Sequence, residues 1–207
     1  MWKDTPAPWV DDAFAQLREC KKLGKVVEAV GPPQLRVAKD PFAAMLLTIV
    51  SQQVSGKAAD SIFKRVRESV GVKPTAFEGW DVDRLRTLGL TRAKAVSMSG
   101  LAEACRNGFS FNALVTLDDV EIYERLTAFK GIGRWSAEMF MMFSLGRPDV
   151  YSPGDLGLRR GLKIVYKMKE MPEPEDCEKL FRRWRPYRTA ASWYLWRVAE
   201  GPGTSAW

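Results

Sequence analysis

Apolar side chains recur along this chain at helical spacing. Phe42, Met45, Leu46, Ile49 and Val50 fall at i, i+3, i+4, i+7 and i+8 behind Asp40-Pro41, an N-cap followed by proline at the first helical position. A helix is predicted there. Val10, Ala13, Phe14 and Leu17 predict an opening helix over residues 9–23, and Gly31-Pro32-Pro33 breaks the chain behind it. Ala59, Ile62, Phe63 and Val66 mark another helix, with Lys57, Lys64, Arg65 and Arg67 facing elsewhere. Residues 75–88 make a weaker pair of helical turns, and Thr91 caps a helix running to Cys105 that bears Ala93, Val96, Met98, Leu101 and Ala102, with Arg92 and Lys94 in its first turn. Asp118 and Glu121 form a capping box, with Leu117 and Ile122 as the staple, at the start of a helix that ends at Gly131-Ile132-Gly133. Beyond that turn lie a helix rich in Trp, Met and Phe, a Pro153-Gly154 turn that delivers Asp155, and a helix with Leu158, Leu162 and Val165 on one face. The last helices carry Leu180, Phe181, Trp184, Tyr187, Trp193, Tyr194 and Trp196, mostly core by their density, and are split by Pro186. No strand of convincing alternation and no internal repeat is visible. The expected fold is all-α, with nine to eleven short helices.

Composition narrows the chemistry. Histidine is absent from the 207 residues, which removes His-based triads, His-ligated metals and the commonest general acid–base group. Cys20, Cys105 and Cys177 are far apart and odd in number, so neither a disulfide framework nor a CxxC metal site is expected. Catalysis would rest on carboxylates, lysines or hydroxyls. Net charge is +7, and residues 156–199 hold eleven basic against five acidic side chains, interleaved with aromatics. Such a segment points to a polyanion. No membrane-length apolar run is present, and the N-terminus lacks a signal-peptide pattern, so a cytoplasmic or nucleoid-associated protein is expected.

Three local features carry candidate chemistry, each with a plain structural alternative. Glycines at a helix–helix junction leave amides uncovered for a phosphate, or serve loop geometry alone. Gln52 and Gln53 interrupt an apolar stripe, where two amides reach base edges or satisfy loop backbone. Asp155 begins a helix, which makes it an N-cap, and a fixed carboxylate there also suits stabilisation of an oxocarbenium-like state. Cap and catalytic roles are compatible.

Taken together, PFAAMLLTIVSQQVSGKAA, GLTRAKA, LTAFKGIGRWSA, DVYSPGDLGLRRG and WRPYRTAASWYLWR occur in one order and spacing. In these blocks the chain resembles the helix-hairpin-helix DNA glycosylase superfamily, nearest its alkylated-base branch of the 3-methyladenine DNA glycosylase II type. The resemblance implies a two-lobed helical fold with the active cleft between lobes, residues 38–146 forming the hairpin-bearing lobe and residues 1–37 plus 147–207 the second. It implies a monomeric, monofunctional glycosylase acting on damaged double-stranded DNA, with Asp155 catalytic and Trp135 and Trp196 in an aromatic base pocket. Gln53 would be the wedge that fills the duplex, and Gly131, Gly133 and Arg134 would contact DNA at the hairpin. No cofactor is implied beyond a sodium or potassium ion at the backbone carbonyls of Thr127, Phe129 and Gly131. Strand-cutting relatives place a lysine where this chain has Trp135, so no lyase step is expected; nor is there room for an added β-rich domain or the cysteines for an iron–sulfur cluster. The alternatives are a bifunctional glycosylase/lyase and a non-enzymatic hairpin module that binds DNA.

Overall fold

The computed structural model describes residues 2–201. In chain order the elements are strand β1 (Trp2–Pro6), helices α1 (Val10–Arg18) and α2 (Leu23–Val30), strand β2 (Arg36–Ala38), and helices α3 (Pro41–Ser51), α4 (Gly56–Ser69), α5 (Val82–Arg86) and α6 (Arg92–Arg106), followed by α7 (Asp119–Thr127), α8 (Arg134–Phe143), α9 (Leu156–Tyr166), α10 (Pro174–Phe181) and α11 (Arg188–Glu200). Short 3-10 turns occupy Pro74–Phe77, Phe111–Thr116 and Arg182–Trp184. The one departure from an all-helical reading is a two-stranded ribbon of β1 and β2. At three residues, β2 is too short to display alternation.

The chain divides into two compact units, one formed by Ala38–Leu145 and the other by Trp2–Val37 together with the chain from Gly146 onward. In the first, α3 is the central helix. Its start is fixed by Asp40, whose Oδ1 accepts the Ala43 amide at 3.1 Å. Every residue from Phe42 to Val50 is buried, so what the sequence displays as a stripe is a helix enclosed on all sides by α4, α6, α8 and the 3-10 turn at Phe111–Thr116. Phe42 meets Phe77 edge-on at 6.0 Å, and Phe111 lies 5.2 Å from Phe140 on α8. The capping box that opens α7 is present, with Asp118 Oδ1 accepting the Glu121 amide at 2.8 Å and Glu121 Oε2 accepting the Asp118 amide at 3.4 Å.

In the second unit α11 is the organiser, packing on α9, α2 and α1. Trp184, Phe181 and Tyr194 are fully enclosed and Trp193 is buried, so most of the aromatic tail is core. Tyr194 Oη donates to the Gly31 carbonyl at 2.7 Å and ties α11 to the end of α2; burial pushes the ionisation of this phenol far up.

Candidate active site

Asp155 is the N-cap of α9: its Oδ1 accepts the Leu158 amide at 2.8 Å and the Trp196 indole Nε1–H at 2.9 Å. The local sequence explains the cap. What brings Trp196 there is the contact between α9 and α11. Gly157 and Gly161 face that contact: a Cβ on Gly157 would stand 2.8 Å from Trp196 Cδ1, and one on Gly161 would overlap the Leu195 carbonyl. Two glycines four residues apart thus let the helix axes close until the indole edge reaches the carboxylate. Trp196 is 7% exposed, so its N–H is spent on Asp155 and its ring is largely covered.

The irregular lead into Asp155 is fastened by the other end of α11. Arg188 grips Asp149 bidentately, Nε to Oδ1 at 2.7 Å and Nη2 to Oδ2 at 2.9 Å. Buried Thr189 donates from Oγ1 to the Arg147 carbonyl at 2.7 Å, with the Val150 carbonyl 3.1 Å away, and accepts the Val150 amide at 3.1 Å. A turn follows, with the Asp155 amide donating to the Ser152 carbonyl at 3.1 Å. Asp155 is therefore held at its backbone from before and at its side chain from behind. Sequence reading missed Arg188, Thr189, Gly157 and Gly161 as parts of this support; the Gly-x-x-x-Gly spacing was the available signal.

The remaining predicted site residues gather in the first unit. Gly131 lies in the left-handed region at φ +84°, and a Cβ there would also overlap Ser97 Oγ on α6. Gly133 differs. It is extended, with φ −98° and ψ −173°, and caps α8 without a side-chain hydrogen bond, and a Cβ built on it would meet nothing within 4 Å. Gly131 shapes the turn, then, while Gly133 keeps the start of α8 open to approach from its own side, next to exposed Arg134 and half-buried Trp135. Arg134 Nε pairs with Glu138 Oε1 at 2.8 Å, one turn on, and Glu138 is buried.

The two glutamines part company. Gln52 Nε2 donates to the Gly131 carbonyl at 3.0 Å and to Ser136 Oγ at 2.9 Å, which is the loop-filling role. Gln53 is exposed and in the left-handed region at φ +55°, beside Val54, also exposed. Lys94, in the first turn of α6 as the sequence places it, is buried, its ammonium donating to the carbonyls of Val50 and Gln52 at 2.7 Å each. Burial pushes this ammonium's pKa down.

For a monovalent ion, the Phe129 carbonyl already accepts the Ile132 amide at 3.0 Å and that of Gly131 accepts Gln52. A carbonyl has two lone pairs, so one accepted hydrogen bond does not by itself exhaust either carbonyl. No cluster of three His, Cys, Asp or Glu residues suited to a metal occurs among the described residues. None of their helices is long and apolar enough to cross a membrane.

Comparison with known proteins decides what this arrangement belongs to. The family described as HhH-GPD superfamily base excision DNA repair protein matches residues 46–186. This chain belongs to the HhH-GPD superfamily. Among relatives, DNA-3-methyladenine glycosylase 1 of Schizosaccharomyces pombe is 35% identical over 186 residues, covering 87% of this chain and 82% of the relative. Among solved structures, the S. pombe 3-methyladenine DNA glycosylase Mag1 in complex with abasic DNA superposes with a TM-score of 0.86 at 31% identity, covering 94% of this chain and 100% of that one. A DNA-3-methyladenine glycosidase from Bacillus halodurans superposes with a TM-score of 0.74 at 37% identity, covering 96% and 91%. The match to the HhH-GPD superfamily spans both the Gly131–Gly133 turn and Asp155.

Proposed function

We propose that this chain is a monofunctional DNA glycosylase of base excision repair, excising alkylated, cationic purines such as 3-methyladenine and 7-methylguanine from double-stranded DNA. The observation that carries this is a single carboxylate, Asp155, fixed by an indole N–H and a backbone amide in a chain without histidine. Alkylation at N3 of adenine or N7 of guanine gives the base a positive charge, so it leaves without further protonation. A site lacking an acid suffices. As the bond between C1′ and the base nitrogen breaks, its electron pair leaves with the base and positive charge develops on the sugar. Asp155 stabilises that charge and orients a water, whose oxygen bonds to C1′ while its proton passes to the carboxylate or to solvent. Because Oδ1 already accepts two donors, the carboxylate does not have to reorganise as charge forms.

In this reading the open start of α8 at Gly133 and the Arg134 side chain hold the DNA backbone, Gln53 enters the duplex where the base has left, and the indole of half-buried Trp135 receives it, while Trp196, whose ring is largely covered, serves through the N–H it gives Asp155. Cation–π attraction for a cationic ring is worth about 0.5–2 kcal/mol per favourable contact. Trp135 stands where strand-cutting relatives carry their lysine, which supports hydrolysis alone. The protein acts as a monomer, and a sodium or potassium ion at the hairpin carbonyls would bring positive charge to a phosphate.

The test is base release from oligonucleotides carrying one lesion each, analysed with and without hot alkali. Released base with strand scission only after alkali is expected. Scission without alkali, together with borohydride trapping, would overturn monofunctionality, and retention of every cationic base would overturn the glycosylase reading.

A further inference from the structure

Lys94 has no place in the chemistry above, yet its burial is expensive for an ammonium and is offset only by the two carbonyls it meets. Those carbonyls are informative. Val50 is in the last turn of α3, and Gln52 is the residue immediately before left-handed Gln53, so the ammonium fixes the peptide plane from which Gln53 departs. One turn further along α6, Ser97 lies against Gly131, where no larger residue would fit. The same face of α6 therefore supports both the Gln53 turn and the glycine turn. Gln52 closes the triangle directly, with its backbone carbonyl on Lys94 and its side-chain amide on the Gly131 carbonyl and Ser136 Oγ.

We propose that Lys94 and Gln52 are positioning residues for base extrusion, bracing the Gln53 turn against the hairpin so that the grip on the backbone and entry into the duplex occur as one event. The inference rests on the glycosylase reading and on Gln53 as the wedge. A non-glycine residue at φ +55° is intrinsically disfavoured and persists only where its neighbours hold it. A mere helix terminator would need only the Val50 carbonyl; the bond to Gln52 lies beyond the helix.

The test compares single-turnover excision of 7-methylguanine paired with cytosine and of the same lesion opposite an abasic analogue, where little unpairing work remains. Lys94→Met keeps the stem and removes the donors. It is expected to slow excision from the paired duplex about tenfold, and from the unpaired one less than about twofold, since a paired base must be unpaired as well as unstacked and an unpaired one only unstacked. Gln52→Met is read by the same ratio and decides the matter if Lys94→Met does not fold. Equal losses on both duplexes, or none on either, would overturn the brace. Wild-type protein inactive on both duplexes would overturn the glycosylase reading instead.

Discussion

At the scale of single residues, Asp155 is a helix cap, and the catalytic duty proposed for it is separated from that one by a single substitution. Asn is also a good N-cap, so Asp155→Asn keeps the start of α9 while removing the charge. Single-turnover excision is expected to fall about a hundredfold or more, with thermal stability and DNA affinity nearly unchanged. A well-folded Asp155→Asn protein excising at the normal rate would reduce Asp155 to a cap. Trp196→Phe asks a finer question, because it retains a ring against Gly157 and deletes only the N–H given to Asp155. A hydrogen bond to a charged group is worth about 1.5–3 kcal/mol, so a loss of roughly tenfold or more in the chemical step is expected. Unchanged kinetics would show that the Leu158 amide alone sets the carboxylate. The cysteines make a separate prediction. Burial pushes the Cys105 and Cys177 thiols up to about 11 from an ordinary 9.0, so the folded chain binds protons that the unfolded chain gives up first. Their contribution to stability is whole below pH 9 and is lost as pH rises from there through about 11. Urea midpoints of the wild type should fall more steeply across that window than those of a Cys105→Ala/Cys177→Ala variant, and parallel curves would refute the assignment.

Elements pose the question of what each glycine is for. Gly131→Ala meets both an unfavourable φ and Ser97, and should cost about 1–3 kcal/mol, or several degrees in Tm. Gly133→Ala meets neither, and should leave Tm within about a degree or two while weakening DNA binding, because its methyl covers amides that a phosphate would reach. If both variants bind DNA as tightly as the wild type, the glycine turn is loop chemistry only. The pair also illustrates what was legible beforehand. Helix starts were, because caps at Asp40, Thr91, Asp118 and Asp155 are local and each accepts the expected amide. Burial around a helix was not: α3 is apolar enough to be enclosed, and Lys94 looks like any first-turn lysine until the end of α3 is placed against it. Arg159 and Arg188 count among the eleven basic side chains of residues 156–199, but they are only 17% and 14% exposed and are engaged with Glu173 and Asp149. Long-range partners decide such cases, and local spacing contains no record of them.

For the whole molecule, the charge of +7 still leaves many exposed Lys and Arg after those internal pairs are set aside. Duplex affinity should therefore fall steeply with salt, log K declining linearly with log salt concentration as counterions are released. A salt-insensitive interaction would contradict DNA as the partner. The division of the chain has a further effect, on the order in which the molecule is completed. Ala38–Leu145 is continuous, so all of its residues are present once residue 145 has been made, whereas residues 2–37 share their unit with a stretch that starts at Gly146. The bond from Tyr194 to Gly31 closes a separation of 163 residues, and loops of that length form late. During synthesis the turns at Gln53 and Gly131–Gly133 are therefore expected to form before the last helix leaves the ribosome. Asp155 acquires its indole partner only once residue 196 has been made, so its carboxylate is expected to be fastened late, and pulse-labelled amides of α3 should gain protection before those of α9.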